Sequence, residues 1–221
     1  MHRDLETFQL AALAAFTLLF IGRTLQLRVT GGVRVVTMVR GKPWREAALE
    51  LLFLVAFPLW LLDVTWHGWI ALSSGASPLE LRLFEPGWLR VPGALLEAAA
   101  VLLFAASLRS FGSSWRVGVD RSRPGELITR GVFALSRNPI FLAMDLFFVG
   151  AALMTGRVIP LLFAVIAPLG FHRQILVEER FLAQRYGHAY REYSARVGRY
   201  LGRRSSADGG PAVEMVGDRK S

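Results

Sequence analysis

Five apolar stretches alternate with polar, arginine-bearing connections along the 221 residues of the chain. A helix needs roughly 20 mostly apolar residues to cross a bilayer, and somewhat fewer when interfacial residues complete the crossing. The pattern therefore predicts an all-α, polytopic membrane helical bundle with about five transmembrane helices. The stretches extend from Leu5 to Gly22, from Ala47 to Trp66, from Val91 to Leu108, from Pro139 to Thr155 and from Val158 to Phe171.

The fourth and fifth stretches are short and follow each other almost directly, joined by the link from Thr155 to Val158. This link leaves room only for a tight turn, so the two stretches are predicted to form an antiparallel helical hairpin. In such a hairpin Phe141, near the start of one helix, and Phe171, at the end of the other, lie on the same side of the membrane.

Lysine and arginine are distributed unevenly among the segments that flank the apolar stretches. In chain order, the six segments carry one, six, two, six, one and ten of these residues. Because positively charged connections stay on the cytosolic side, the alternation predicts that the N-terminus is outside and the C-terminus is cytosolic. The connection 109–138 and the tail after residue 172 then share the cytosolic face, where a C-terminal interfacial helix is expected.

Composition supports a protein of the lipid bilayer and narrows the chemistry. Hydrophobic residues make up 53% of the chain, and the net charge of +9 comes from arginines spread between apolar stretches. A membrane surface explains this distribution better than a nucleic acid does. The chain has no cysteine, and its four histidines lack the spacing of metal ligands. We therefore expect no nucleic-acid partner and no metal site.

Two segments carry candidate chemistry. The first, LITRGVFALSRNPIFLA at 127–143, can be explained as the start of a helix, because Asn138 and Pro139 form an N-cap and first-turn pair. The second, at 178–201, has the pattern of an interfacial helix with tyrosines on one side. That interpretation leaves Glu178 and Glu179 unexplained, since carboxylates gain nothing from an anionic leaflet. A ligand or an arginine partner is therefore expected there.

The two segments together resemble one family of membrane enzymes. The pattern L-I-T-R-G-V-F-x-x-x-R-N-P-x-F, a hydrophobic hairpin, and then E-E followed by Y-G-x-x-Y-x-x-Y-x-x-x-V-x-R is similar to the isoprenylcysteine carboxyl methyltransferase family. The resemblance covers roughly residues 108–201, with a weaker echo in LRSFGSSW at 108–115. It implies an S-adenosylmethionine-dependent methyltransferase whose cofactor site faces the cytosol.

With the apolar pattern, this resemblance divides the chain into three parts. Residues 1–108 hold three N-terminal transmembrane helices and their connections. Residues 109–202 form the cofactor-binding catalytic region, which contains the helical hairpin 139–171. Residues 203–221 have small and charged residues without apolar periodicity, and we expect a disordered tail.

The resemblance also implies which residues bind the cofactor. Glu178 would hold S-adenosylmethionine from the second segment by pairing with one of its cationic groups, while Arg137 would meet its carboxylate. Phe133 and Phe141 offer apolar faces to the rest of the molecule. The implied set comprises Leu127, Ile128, Phe133, Arg137, Asn138, Pro139, Ile140, Phe141 and Glu178.

Three positions depart from the family pattern. Asn138 stands where the family has histidine, Phe141 stands where it has tyrosine, and Gln174 stands where an arginine that contacts substrate is expected. Arg173 is adjacent to Gln174 but points about 100° away on a helix. We take Gln174 and Arg173 as the candidate substrate-binding residues, and the loss of the arginine leaves the acceptor open.

Asp145 lies inside the fourth apolar stretch, where an acidic residue is by default a candidate for a functional role. The alternative is a buried acid with a structural role. Glu97 in the third stretch poses the same question. If the acceptor must lose a proton, the candidate bases are Asp145, Glu179 and His172. We take Asp145 and Glu179 as the candidate catalytic residues.

The leading hypothesis is methyl transfer from S-adenosylmethionine to a lipophilic or membrane-delivered acceptor, which is a carboxylate, a thiol or an amine. One alternative is an NADPH-dependent reductase of the sterol or enone type, because such enzymes resemble this family in their C-terminal helices. A second alternative is a non-catalytic membrane protein of the same architecture. The protein is expected to be a multi-pass membrane protein in each case.

Overall fold

The computed structural model describes residues 2–31, 44–74, 81–111 and 126–202. Within these ranges the chain is helical and forms no β-strand longer than an isolated bridge. Four helices are long and apolar enough to cross a membrane, and a fifth is shorter and apolar, so the predicted polytopic helical bundle is confirmed. The α-helices are α1 (His2–Gly31), α2 (Trp44–Ser74), α3 (Arg90–Phe111), α4 (Pro139–Thr155), α5 (Val158–Tyr186) and α6 (His188–Arg196).

The predicted hairpin is formed by α4 and α5. Pro139 occupies the first turn of α4, and Gly156 ends the helix in a left-handed conformation with φ of 63°. That conformation favours glycine, which has no Cβ to clash with the backbone. The rings of Phe141 and Phe171 lie 5.3 Å apart, so the start of α4 and the middle of α5 are neighbours, as predicted.

α5 is longer than the apolar pattern indicates. The apolar stretch ends at Phe171, but the helix continues to Tyr186 and stops at Gly187, where φ is 53°. No proline or glycine lies between Phe171 and Gly187. The polar side chains in this part of the chain do not end the helix, because a helix can place them on its exposed side. The second motif segment is therefore divided between the last turns of α5 and the separate helix α6.

α3 and α4 pack with their backbones in close contact. A Cβ added to Gly150 would lie 2.7 Å from the carbonyl oxygen of Gly93, and one added to Gly93 would lie 2.8 Å from that of Gly150. Ala100, Ala143 and Ala151 continue the contact region and have no exposed surface. Small residues allow membrane helices to approach closely and gain van der Waals contact along their length.

Aromatic rings attach α1 and α2 to this helix pair. Phe16 of α1 stacks on Phe104 of α3 with ring centroids 4.2 Å apart. Trp60 of α2 meets Phe148 of α4 edge to face at 4.8 Å. These rings belong to one continuous core that spans the first five helices.

Charged side chains close the end of the bundle at which α4 turns into α5. Arg90 at the start of α3 pairs with Glu6 of α1 at 2.8 Å, and Arg157 in the turn pairs with Asp63 of α2 at 3.0 Å. Both arginines are buried. Glu97 is fully buried nearer this end, beside Gly150, and accepts a hydrogen bond from Gln9 at 3.4 Å. The two ion pairs thus connect α1 to α3 and α2 to the hairpin, which is a structural role.

Candidate active site

The start of α4 is approached through a short 3₁₀ turn at Gly131–Ala134. Gly131 has φ of 64°, and a Cβ at this position would collide with the hydroxyl of Ser110. The turn buries Phe133, whose ring meets Phe111 of α3 edge to face at 5.0 Å. The first motif segment is therefore fixed against the end of α3.

Residues 197–202, which we call the C-terminal segment, run back over the start of α4. The backbone N–H of Arg137 donates to the carbonyl oxygen of Gly198 at 3.0 Å. The side-chain amide of Asn138 donates to the carbonyl oxygen of Arg199 at 3.1 Å. Asn138 is nearly buried, so its amide is one of the groups that hold the two motif segments together.

A buried ion cluster joins the same two segments through side chains. Glu179 of α5 accepts a bond from Arg137 at 3.1 Å and a bidentate pair from Arg199, the shortest contact being 2.7 Å. The Arg137 and Glu179 side chains are only 6% and 13% exposed. Hydrogen bonding to Glu179 raises the pKa of Arg199 above its usual range. We call Arg137, Glu179 and Arg199 the ion cluster.

Two tyrosines of α6 form hydrogen bonds with the ion cluster and with the 3₁₀ turn. Arg137 donates from a second nitrogen to the hydroxyl of Tyr190 at 3.3 Å. Burial, and then the charge of Glu179, raises the pKa of Tyr190 to about 12, so this hydroxyl stays neutral at physiological pH. Tyr193 donates to the carbonyl oxygen of Phe133 at 2.7 Å, which links α6 directly to the 3₁₀ turn.

Tyr193→Phe is expected to lower stability by about 1–2 kcal/mol, because it leaves the buried carbonyl oxygen of Phe133 without its donor. The ring and its packing are kept. Thermal unfolding in detergent measures the loss. Ser194→Ala is the matched control, because it removes a hydroxyl that bonds only within α6; equal melting temperatures of the two variants would contradict the role given to Tyr193.

Glu178 lies on a different side of α5 from Glu179. Its carboxylate accepts a hydrogen bond from the side-chain amide of Gln174, one helical turn earlier, at 3.1 Å. Both residues are half-buried, whereas Arg173 is exposed. The two candidate substrate-binding residues therefore differ: Gln174 is in contact with the predicted cofactor ligand Glu178, and Arg173 points to the surface.

Asp145 lies two turns further into α4 than Asn138, close to the C-terminal segment. One of its carboxylate oxygens is buried and has no hydrogen-bond partner among the described residues. Burial raises the pKa of Tyr200, and the negative charge of Asp145 raises it further. The hydroxyl of Tyr200 in turn lies 2.8 Å from Nδ1 of His172 on α5. The sequence pattern gave no role to Tyr200.

The remaining predicted cofactor residues fall into two groups. Leu127 packs against the tyrosines of α6, and Ile140 and Phe141 pack against the main aromatic core. Pro139 is fully buried, in keeping with its place in the first turn of α4. Ile128 is half-buried. The structure thus brings Phe133, Arg137 and Asn138 together with Glu179. Within the described ranges, it contains no group of three acidic or histidine side chains that could hold a metal ion.

Comparison with known proteins identifies one family that matches this part of the chain. Residues 88–189, just under half of the chain, match the phospholipid methyltransferase family. No curated protein matches the chain. The matched region starts just before α3 and includes the 3₁₀ turn, the hairpin and the start of α6. The expected likeness to membrane methyltransferases is confirmed: residues 88–189 match the model of the phospholipid methyltransferase family, which includes the integral membrane enzymes similar to isoprenylcysteine carboxyl methyltransferase.

Proposed function

We propose that this protein transfers a methyl group from S-adenosylmethionine to a lipophilic or membrane-delivered acceptor, at a site on the cytosolic side of the bundle. The observation that carries the proposal is the convergence of the two motif segments at the start of α4. The backbone bonds of the C-terminal segment and the ion cluster both hold them there. The family match supports the reaction class.

The side chains at this place fit the chemical groups of S-adenosylmethionine. Nε of Arg137 is a buried cationic donor with no hydrogen-bond partner in the described part of the chain, so it can receive the cofactor carboxylate. Glu178 is half-buried and anionic, which suits the ammonium or the sulfonium group. Phe133 and Phe141 pack against Phe111 and Phe171, so both motif ends of the site border apolar rings.

The residues act in this proposal mainly by binding and alignment. S-adenosylmethionine supplies a methyl group that its sulfonium already activates. Gln174 orients the Glu178 carboxylate through their hydrogen bond, and Glu179 holds Arg137 and Arg199 in place without meeting the acceptor itself. We assign Glu179 this positioning role because two arginines already occupy its oxygens.

The proposal is tested by binding of radiolabelled S-adenosylmethionine to the purified full chain in lipid nanodiscs. Glu178→Ala is expected to weaken binding by about 10- to 100-fold, the usual effect of losing a hydrogen bond to a charged group. The matched control is Glu192→Ala, which removes an exposed carboxylate from α6 and should bind as the wild type does.

Two results would contradict the proposal. One is wild-type affinity in Glu178→Ala, which would place the cofactor elsewhere or remove it from the function. The other is retention of labelled NADPH in place of S-adenosylmethionine, which would favour the membrane reductase instead. An excess of unlabelled NADPH is expected to leave S-adenosylmethionine binding unchanged.

A further inference from the structure

One side of α5 is exposed along most of the helix and changes from apolar to basic on the way. Its exposed residues follow one another at spacings of three, four, three, four and seven positions, which keeps them on one face of a helix. The apolar members are between 44% and 65% exposed, and α5 is able to cross a membrane, so this side meets lipid. We call it the exposed face of α5; it consists of Ile159, Leu162, Ile166, Leu169, Arg173 and Arg180.

The two arginines follow the apolar residues at the depth of the lipid headgroups. Arg173 is one turn beyond Leu169, and Arg180 lies about 10 Å further along the helix axis. The headgroup layer on each side of the hydrocarbon is roughly 5–8 Å thick. Arginine side chains extend along apolar surface to bring their charged ends to such a layer. The phosphate groups of one leaflet are therefore within reach of both arginines.

No carboxylate of the described part of the chain forms an ion pair with either arginine. Nε of Arg180 donates to the backbone carbonyl oxygen of Leu176 at 3.2 Å, which leaves its other guanidinium nitrogens as donors. Glu178 and Glu179 lie about 140° and about 120° around the helix from Arg173, in opposite directions. The oxygens of Glu179 are also bonded to Arg137 and Arg199. The exposed face of α5 thus ends in positive charge.

We propose that Arg173 and Arg180 bind the phosphate groups of anionic membrane lipids, which makes the exposed face of α5 a binding surface for these lipids. A guanidinium group matches a pair of phosphate oxygens, and an anionic leaflet attracts each basic residue near it. A phosphocholine headgroup carries its own cation beside the phosphate, so lipids with a net negative charge are preferred. This inference does not depend on the proposed function.

Lipid bound at this face has a consequence for the orientation of α5. The last turns of the helix carry the arginines on one side and Glu179 on another, where it contacts Arg137 at the start of α4. Attachment of the arginines to the headgroups opposes rotation of the helix about its axis. The same rotation would carry Glu179 away from Arg137. Anionic lipid therefore supports the contact between the two motif segments from outside the bundle.

The proposal is tested by the lipid composition directly beside this face. The chain has no cysteine, so Leu169→Cys gives a single attachment site for a bimane fluorophore on the lipid-facing side. The labelled full chain is placed in nanodiscs of phosphatidylcholine with a minority of phosphatidylglycerol, and one lipid or the other carries bromine on its acyl chains. Comparison of the quenching gives the local ratio of the two lipids. We expect phosphatidylglycerol to be enriched about fivefold or more over its bulk fraction.

Removal of both arginines tests their role in this enrichment. Arg173→Gln with Arg180→Gln is expected to bring the local phosphatidylglycerol fraction to within about twofold of the bulk value, because both cations are lost. Arg185→Gln is the matched control, since it removes an exposed arginine of α5 that lies about 120° around the helix from Arg173. The control should keep the enrichment. Equal enrichment in the double variant and in the control would overturn the proposal.

Salt dependence tests the proposal on the labelled chain with both arginines present. The screening length falls from about 10 Å at 0.1 M to about 3 Å at 1 M salt, so 1 M potassium chloride should remove most of the enrichment. Enrichment that is the same at both concentrations would show that charge is not its cause. A local composition equal to the bulk at low salt would overturn the proposal outright.

Discussion

Gly150→Leu is expected to prevent assembly of the bundle. The substituted side chain would have to fit where a single Cβ already lies 2.7 Å from the Gly93 carbonyl oxygen and 2.8 Å from Cγ of Glu97. The backbone of α3 cannot move aside without separating from α4 along the whole contact region. Overpacking against a backbone exceeds the usual cost of a core substitution, so we expect a loss of about 4 kcal/mol or more.

The measurement is the yield and the melting temperature of the detergent-solubilised protein, followed by fluorescence-detected size-exclusion chromatography. Gly170→Leu is the matched control, since a Cβ at this position of α5 meets nothing within 4 Å. The control should behave as the wild type does. If Gly150→Leu gives the same yield and melting temperature as the control, the close packing of α3 on α4 is wrong.

Glu179→Ala is expected to have the second-largest effect. Arg137 would stay buried with its principal counter-ion gone, and removal of one partner from a buried ion pair typically costs about 3–5 kcal/mol. The C-terminal segment would also lose the bidentate bond through which Arg199 is attached. We therefore expect a large loss of stability and, with it, loss of S-adenosylmethionine binding.

Thermal unfolding in the presence and absence of S-adenosylmethionine measures both effects. Glu192→Ala removes a carboxylate that is 60% exposed and should change stability by less than about 0.5 kcal/mol. A Glu179→Ala protein as stable as this control would show that the ion cluster does not hold the site together. Normal stability with impaired methyl transfer would return Glu179 to the role of a catalytic residue.

The hairpin could be predicted from the sequence because its determinants are local. Pro139 has no backbone N–H to lose in a first helical turn, and Gly156 can adopt the left-handed conformation that ends a helix. Both lie within one turn of the boundary that they set. The tight link between the two apolar stretches then leaves one arrangement of the helices.

The end of α5 could not be predicted in the same way. The apolar pattern stops at Phe171 because the helix changes its surroundings there, and the backbone continues regardless to Gly187. A change from apolar to polar residues marks where a helix leaves an apolar environment, and it carries no information about hydrogen bonding. The orientation in the membrane, inferred from the arginine distribution, stays a prediction.

The site was predictable in its motif segments but not in its assembly. Asn138 and Glu179 stand in the quoted pattern, yet nothing near them in the chain says that they meet Arg199. Their contacts with Arg199 run across more than one helix, and the bond from Asn138 ends on the backbone carbonyl oxygen of Arg199, which has no side-chain signature. Tyr200 was missed for the same reason: its partner His172 is distant in sequence, and a single tyrosine near a helix end has many explanations.

The C-terminal segment also determines when the protein becomes competent during its synthesis. Both hairpin helices and the start of α4 are made before Arg199, and they can enter the bilayer while their polar contacts in the segment do not yet exist. Membrane insertion and completion of the site are thus separate events in time. A nascent chain that is already anchored in the membrane lacks the bonds that join the two motif segments until residues 197–202 have emerged and folded back.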